Sequence, residues 1–466
     1  MRELSLRDER LEALDHGLAL VREAWHSFDA PRPTQPPVSR ETLQMLDATL
    51  PEEGLGVRTA LDDAERVLNE SLAQSRPRFF GYVGSSGLES SVLADALASS
   101  HDVNLASESA AAQHVERQTL RWVGELVGFP VGGGIFTSGG MLSNLTALMA
   151  ARTRVLPDSR DAGLDGVSAT LYASDDAHSS VERAAEVMGI GRRGVRRIPV
   201  DERRRMDAGH LARTLAEDVA AGHRPIAVVA TAGTTLTGAV DPLDDIADVL
   251  DGTDVWLHVD GAYGLPAAAT EAAGSLFSGL ARADSASVDA HKWLYVPKAC
   301  GVLLVADPEP LYAAFHHDAA YMLDEDDSVH PVDMTLEYSR PFRSLKLWTA
   351  IRAHGAQAFR DAIGRNIELA RELTRHVVAT PNLELVVGEP DLSTVPFRRL
   401  PGSGDVDEHN LRLAKALQAD GRVYVTSAVI DGRACLRPCI VNFRTTSDDI
   451  TALVDVTEEI GASLEA

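Results

Sequence analysis

The stretch Asp289-Ala290-His291-Lys292-Trp293-Leu294-Tyr295 sets a lysine beside a histidine, between two apolar, strand-like runs. Upstream lies His258-Val259-Asp260-Gly261-Ala262-Tyr263, which reads as a strand ending on a carboxylate. Working outward, further β-rich runs alternate with helical stretches between Gly132 and Val305. They are Ala169-Thr170-Leu171-Tyr172-Ala173, Ile226-Ala227-Val228-Val229-Ala230, Val255-Trp256-Leu257-His258-Val259 and Gly301-Val302-Leu303-Leu304-Val305. Near-continuous apolar strands separated by helices predict an α/β fold, with a mostly parallel sheet covered on both faces. Ligands of such sheets sit beyond the carboxyl ends of the strands. Asp260 and Lys292 both fall at or just after such ends.

Composition narrows the classes of function. The 466 residues carry 45% hydrophobic and 24% charged side chains, as in an ordinary globular protein long enough for two domains. A net charge of −25 opposes phosphate backbones and anionic membranes, which argues against nucleic-acid partners. No apolar run reaches the roughly 20 residues that span a bilayer, and the charged start Met1-Arg2-Glu3-Leu4-Ser5-Leu6-Arg7 holds no signal-peptide core. Cys300, Cys435 and Cys439 lack metal-ligand spacing with nearby histidines, so no metal is expected. Cys435 and Cys439 read as buried strand residues, and the whole as a reduced, cytoplasmic protein.

Three segments are expected: an N-terminal helical segment (1–80), a large domain (81–346) and a smaller α+β domain (347–466). In the first, Leu11, Leu14, Leu18, Val21 and Trp25 make one apolar helical stripe. That helix either packs on its own domain or clasps a second subunit, because periodicity does not identify the partner surface. Pro31-Arg32-Pro33-Thr34-Gln35-Pro36-Pro37 ends it. In the last segment the sequence predicts strands at Leu383–Val387, Val423–Thr426 and Leu436–Phe443, and a helix from Asp407 to Ala419.

Chemistry-bearing residues gather at the strand ends. The run from Gly132 to Asn144 reads as a glycine-rich turn opening a helix, and helix N-termini with close-approaching backbone accept phosphate. It is not a Walker loop, since no lysine follows the glycines. Taken alone, such a turn is a weak signal. His178, in Ala177-His178-Ser179-Ser180-Val181, could stack on a planar ring or be the exposed histidine of a helix-capping segment. Thr235, in Ala230-Thr231-Ala232-Gly233-Thr234-Thr235, either hydrogen-bonds a ligand or belongs to an ordinary turn of small residues. A lysine able to form an imine, an acid for a ring nitrogen and a phosphate cradle are together what pyridoxal 5'-phosphate requires.

In order and spacing, Ala-His-Ser-Ser-Val-Glu-Arg-Ala (177–184), His-Val-Asp-Gly-Ala-Tyr (258–263) and Asp-Ala-His-Lys-Trp-Leu (289–294) resemble the group II pyridoxal-phosphate-dependent amino acid decarboxylases. That family includes the aromatic-amino-acid, histidine and glutamate decarboxylases. The resemblance runs from Pro77-Arg78-Phe79-Phe80-Gly81-Tyr82 to Asn442-Phe443-Arg444-Thr445-Thr446. It implies the fold-type I architecture, decarboxylation of an L-amino acid to the amine, and a homodimer with active sites at the subunit boundary. By the same resemblance Lys292 would tether the cofactor, and Asp260 would keep its ring nitrogen protonated. His178 would stack on one ring face with Ala262 beneath the other. Gly139, Gly140 and the Met141 amide would cradle the phosphate, helped by His291 and Thr235. Tyr82, Ser85, Asn104 and Arg437 would border the substrate. Arg437 suits a bidentate hold on a carboxylate, or else forms a structural ion pair.

Two departures from the family pattern matter. Where relatives carry a loop tyrosine as proton donor, this chain has Pro331 with His330 beside it. His330, Tyr321 or Tyr338 would substitute, His330 first because imidazole titrates near neutrality. Without a donor, the carbanion would react with oxygen and yield an aldehyde by oxidative deamination, the nearest alternative outcome. Where relatives acting on aromatic substrates carry bulky rings, this chain offers Asn104 and Ala106, which points to a polar or unusual substrate. A non-catalytic dimeric scaffold is the alternative of another class; it has no use for Lys292, Asp260 and His178 together.

Overall fold

The computed structural model describes residues 5–29, 37–106, 109–317 and 330–465; Tyr321 and Pro31 to Pro36 lie outside these. Seven strands form the main sheet: β1 (Gly133–Thr137), β2 (Ala169–Ser174), β3 (Val195–Ile198), β4 (Arg224–Thr231), β5 (Trp256–Asp260), β6 (Ser285–Asp289) and β7 (Gly301–Val305). Their order is β1-β7-β6-β5-β4-β2-β3. All share one direction except β7, which runs antiparallel between β6 and β1. The connection from β6 to β7 contains no crossover helix, so the chain can only return antiparallel.

Both faces of this sheet are covered, and the alternation of side chains shows it. Val228 and Ala230 of β4, with Val302 and Leu304 of β7, enter one apolar core. Their neighbours Ala227, Val229, Leu303 and Val305 enter another. Successive strand residues point to opposite faces, so two cores on one sheet require apolar residues at every position. The run 132–144 differs from a simple turn: Gly133–Thr137 is β1, and only Ser138 and Gly139 separate it from the helix Gly140–Val155. Glycine lets this strand lie close against β7, since a Cβ on Gly134 would fall 2.2 Å from the Leu303 carbonyl oxygen.

The C-terminal part adds an antiparallel sheet in the order β10-β11-β9-β8: β8 (Leu383–Leu385), β9 (Phe397–Arg399), β10 (Ser427–Ile430) and β11 (Arg433–Leu436). The helices Val406–Asp420 and Ser447–Ser463 pack on it around a third core that includes Phe397, Leu413, Leu436 and Ile450. Two expected strands differ. Residues 423–426 leave the sheet to pair with the segment around Phe79: the Phe80 amide donates to the Tyr424 carbonyl at 2.7 Å, and the Tyr424 amide to that of Arg78 at 3.0 Å. The strand expected over Leu436–Phe443 ends at Leu436, because Pro438 has no amide to continue the ladder. Beyond it, residues 438–440 pair with a strap at 393–395, and the Cys439 amide donates to the Phe80 carbonyl at 2.9 Å.

The helix Arg343–Ala379, broken at Gly355 (φ 75°), carries Phe359, Ile363 and Ile367 into the first core and Leu369, Leu373 and Val377 into the third. The N-terminal helix Arg10–Phe28 lies against Val57–Asn69, with His16 and Asp62 2.6 Å apart. Leu11, Leu14 and Leu18 are exposed, at 71%, 56% and 45%. Among the described residues no buried hydrophobic side chain precedes Phe79.

Candidate active site

The carboxyl ends of five parallel strands converge on one cavity of about 430 Å³. Gly139, Gly140 and Met141 follow β1, and His178 follows β2. Thr231, Gly233 and Thr235 come from the end of β4, and Asp260, Ala262 and Tyr263 from that of β5. Asp289, His291 and Lys292 follow β6. Tyr82, Val83 and Arg437 close the cavity from outside the sheet. Eleven of the fourteen residues expected at the site line this cavity although they are far apart in sequence; parallel strands bring them together.

Asp260 is held from three sides. The Asn144 side-chain amide donates to its Oδ2 at 2.8 Å, while the Ala262 amide and the Ser287 hydroxyl approach Oδ1 at 3.2 and 3.3 Å. Asn144 is oriented in turn by His258, whose Nε2 lies 2.9 Å from the Asn144 Oδ1. The other ring nitrogen of His258 meets the Ser285 hydroxyl at 2.8 Å, and the Trp256 indole N–H donates to that hydroxyl at 2.7 Å. Burial in this chain of hydrogen bonds pushes the His258 pKa down to about 4, so the ring is neutral. Asn144 and His258 stand in the motifs quoted above, but nothing in sequence spacing assigned them a role.

Lys292 pairs with Asp289, its Nζ 3.0 Å from Oδ2. Asp289 is buried and its Oδ1 has no hydrogen-bond partner. A carboxylate three residues before the lysine meets it by turn geometry, which the residue types alone did not reveal. His291 presents Nδ1 to the Cys300 carbonyl at 3.1 Å and Nε2 toward Asp289 at 3.8 Å. Burial lowers the pKa of both His178 and His291, with Asp260 and Asp289 respectively opposing it. Trp293, next to Lys292, donates its indole N–H to Asn366 Oδ1 at 3.0 Å and so is anchored to the long helix.

Arg437 is buried and makes no ion pair among the described residues, contrary to the structural alternative. Its guanidinium donates to the carbonyls of Thr235 (3.3 Å) and Tyr82 (3.5 Å) and to the Thr426 hydroxyl (3.2 Å). A buried cation with only neutral partners on a cavity wall is suited to an anionic ligand. Three expected residues stand elsewhere in the protomer. Ser85 donates to the Val296 carbonyl at 3.1 Å. Asn104 is exposed, and its Oδ1 accepts from the amides of Ala106 (3.1 Å) and Arg340 (2.9 Å). His330 is buried at the start of the turn Pro331–Met334, and that turn is joined to the Asn104 segment through the Val332 amide and the Ala106 carbonyl at 2.9 Å. None of the three lines the cavity of its own chain.

The donor set fits pyridoxal phosphate. The helix Gly140–Val155 opens toward the cavity without a side-chain cap, leaving its first N–H groups for an anion. At Gly140 a Cβ would lie 2.8 Å from the Ala262 Cβ, and at Gly139 3.3 Å from the His291 ring. Thr231 Oγ1, like Asp289 Oδ1, is buried without a partner on the cavity wall.

Comparison with known proteins agrees. The pyridoxal-dependent decarboxylase conserved domain matches residues 39–400. The chain is 33% identical over 421 residues to an aromatic-L-amino-acid decarboxylase of Bacillus atrophaeus, spanning 88% of this chain and 86% of that one. It is likewise 33% identical over 433 residues to an L-2,4-diaminobutyrate decarboxylase of Rhizobium meliloti, covering 89% and 84%. The crystal structure of Oryza sativa TDC with PLP and tryptamine superposes with a TM-score of 0.92 at 26% identity, over the whole of both chains.

Proposed function

From the chain's membership of the pyridoxal-dependent decarboxylases, with pyridoxal 5'-phosphate as cofactor and an amino acid as substrate, we propose the roles of its residues and the kind of amino acid it takes. Oxidative deamination and a non-catalytic scaffold are not favoured by these relatives. The observation that carries the assignment of roles is the convergence of Lys292, Asp260 and His178 on one cavity.

Bound there, the cofactor supplies an aldehyde for the substrate amine and a ring that accepts electrons as carbon dioxide departs. Lys292 is the residue that would hold it covalently, and Asp260, fixed by Asn144, would face the ring nitrogen. His178, whose pKa burial lowers, would lie on one face of the ring and Ala262 on the other. Gly139, Gly140 and the Met141 amide would receive the phosphate, helped by Thr235 and His291. Arg437 forks onto a substrate carboxylate beside Tyr82.

We propose further that the working unit is a homodimer. Exposed leucines at 11, 14 and 18, in the helix Arg10–Phe28, which buries no hydrophobic side chain, support a second copy as the covering surface. Asn104 and His330 sit on adjoining segments outside their own cavity, which supports their serving the partner's cavity. There His330 would hold the proton delivered to the substrate α-carbon; Tyr338, half-exposed, is the second choice. Asn104 and Ala106 in that position favour a polar side chain over a large ring. Three free, buried cysteines support a reducing, cytoplasmic setting. We take the functional units as 1–80, 81–346 and 347–466.

A screen of L-amino acids, reading carbon dioxide, amine, aldehyde and peroxide together, tests this. Amine and carbon dioxide in equal amounts from a polar amino acid are expected, with a visible imine band that Lys292→Ala abolishes. Aldehyde and peroxide in equal yield would overturn simple decarboxylation.

A further inference from the structure

We propose that Tyr263 is a positioning residue that sets Arg437 against the cofactor site, by pinning the strap that carries Arg437's backbone neighbours. The proposal rests on the reading of Arg437 as the carboxylate-binding group. Tyr263 follows β5 three residues after Asp260, is buried, and stacks on Trp293 with ring centroids 5.2 Å apart. It therefore belongs to the same rigid wall as Asp260 and Lys292. Its hydroxyl, however, is engaged wholly with the C-terminal part of the chain. It lies 2.6 Å from the Ser393 hydroxyl, accepts from the Ser393 amide at 3.1 Å and meets the Thr394 hydroxyl at 3.2 Å.

Ser393 and Thr394 form the strap that pairs with the residues just after Arg437. The Val395 amide donates to the Pro438 carbonyl at 3.0 Å, the Ile440 amide to the Ser393 carbonyl at 2.9 Å, and Thr394 bridges Cys439. The strap also sits hard against the sheet. A Cβ on Gly264, the residue after Tyr263, would fall 2.5 Å from Leu392 Cδ1, and one on Gly233 3.0 Å from the same atom. Leu392 and Cys439 accordingly belong to the large core rather than to the C-terminal one. One phenol thus joins the strand end that bears Asp260 to the loop that presents Arg437. A hydroxyl with three strap contacts fixes register, whereas the ring alone fixes only distance.

The test compares Tyr263→Phe, which keeps the stack on Trp293, with Arg437→Ala in the cofactor-loaded enzyme. Three constants are read for the amino acid that the screen identifies: its KM and kcat, and the inhibition constant of its amine product, which has no carboxylate. Loss of the anchoring hydrogen bonds should raise KM about five- to tenfold, leaving kcat and the amine's constant within about twofold. Ser393→Ala should reproduce this split, and the double variant should be no worse than the stronger single one. Loss of the split in Arg437→Ala itself would remove the premise and the proposal with it. A split in Arg437→Ala but not in Tyr263→Phe or Ser393→Ala would overturn the proposal alone. Equal weakening of amino acid and amine would also overturn it, as the mark of general disorder.

Discussion

His258 shows how a residue two positions from a functional carboxylate acts without touching a ligand. It is fully buried and relays hydrogen bonds from Trp256 and Ser285 to Asn144, and so to Asp260. Its folded pKa is pushed down to about 4, against roughly 6.5 for a free imidazole. Between these values the unfolded chain binds the extra proton, so stability is full above the upper one and falls as pH drops toward the lower. The loss should total about 3 kcal/mol. Urea unfolding across that window should show wild type losing about 1.4 kcal/mol per pH unit more than His258→Gln; parallel slopes would remove His258 from the account. At this scale Lys292, Asp260 and His178 were legible because their motifs are contiguous and lie at strand ends. Asp289 and Asn144 were not, since what matters is which side chains a turn and a helix bring within 3 Å of Lys292 and Asp260.

The turn proposed to receive the phosphate is shaped by a neighbouring strand as much as by its own glycines. Gly301 opens β7, and a Cβ there would lie 2.6 Å from both the Gly139 Cα and the Thr137 Oγ1, and 2.8 Å from the Gly139 amide. Because backbone must yield, Gly301→Ala should displace the turn and weaken pyridoxal phosphate retention by about tenfold or more, in line with roughly 1–3 kcal/mol for overpacking. Gly364→Ala, in a helix where a Cβ meets nothing within 4 Å, should leave retention unchanged. Equilibrium dialysis of both variants decides the matter, and equal affinities would refute it. The strands of the main sheet were legible from their unbroken apolar runs. The reversed β7 and the loss of strand character after Leu436 were not, because a missing crossover and one proline outweigh local β-propensity.

For the whole molecule, the apolar stripe of Arg10–Phe28 was legible as a stripe but not as to its partner. Its leucines are exposed in the protomer, and the proposed second copy would cover them. Replacing Leu14 and Leu18 with Gln removes four apolar side chains from a dimer, each worth roughly 1.5–3 kcal/mol when fully buried. Sedimentation should then show self-association at least about a hundredfold weaker; an unshifted dimer would exclude the stripe from the interface. Asn104 and His330 lie outside the cavity of their own chain, and in the proposed dimer the chain that supplies a residue need not be the chain that uses it.

The stretch of helix after Gly355 carries Phe359, Ile363 and Ile367 in one core and Leu369, Leu373 and Val377 in another, and from Asn366 it grips Trp293. A single spar embedded at both ends couples the two bodies it joins, so any change in the spacing of Lys292 and Arg437 would have to break apolar contacts in one core or the other.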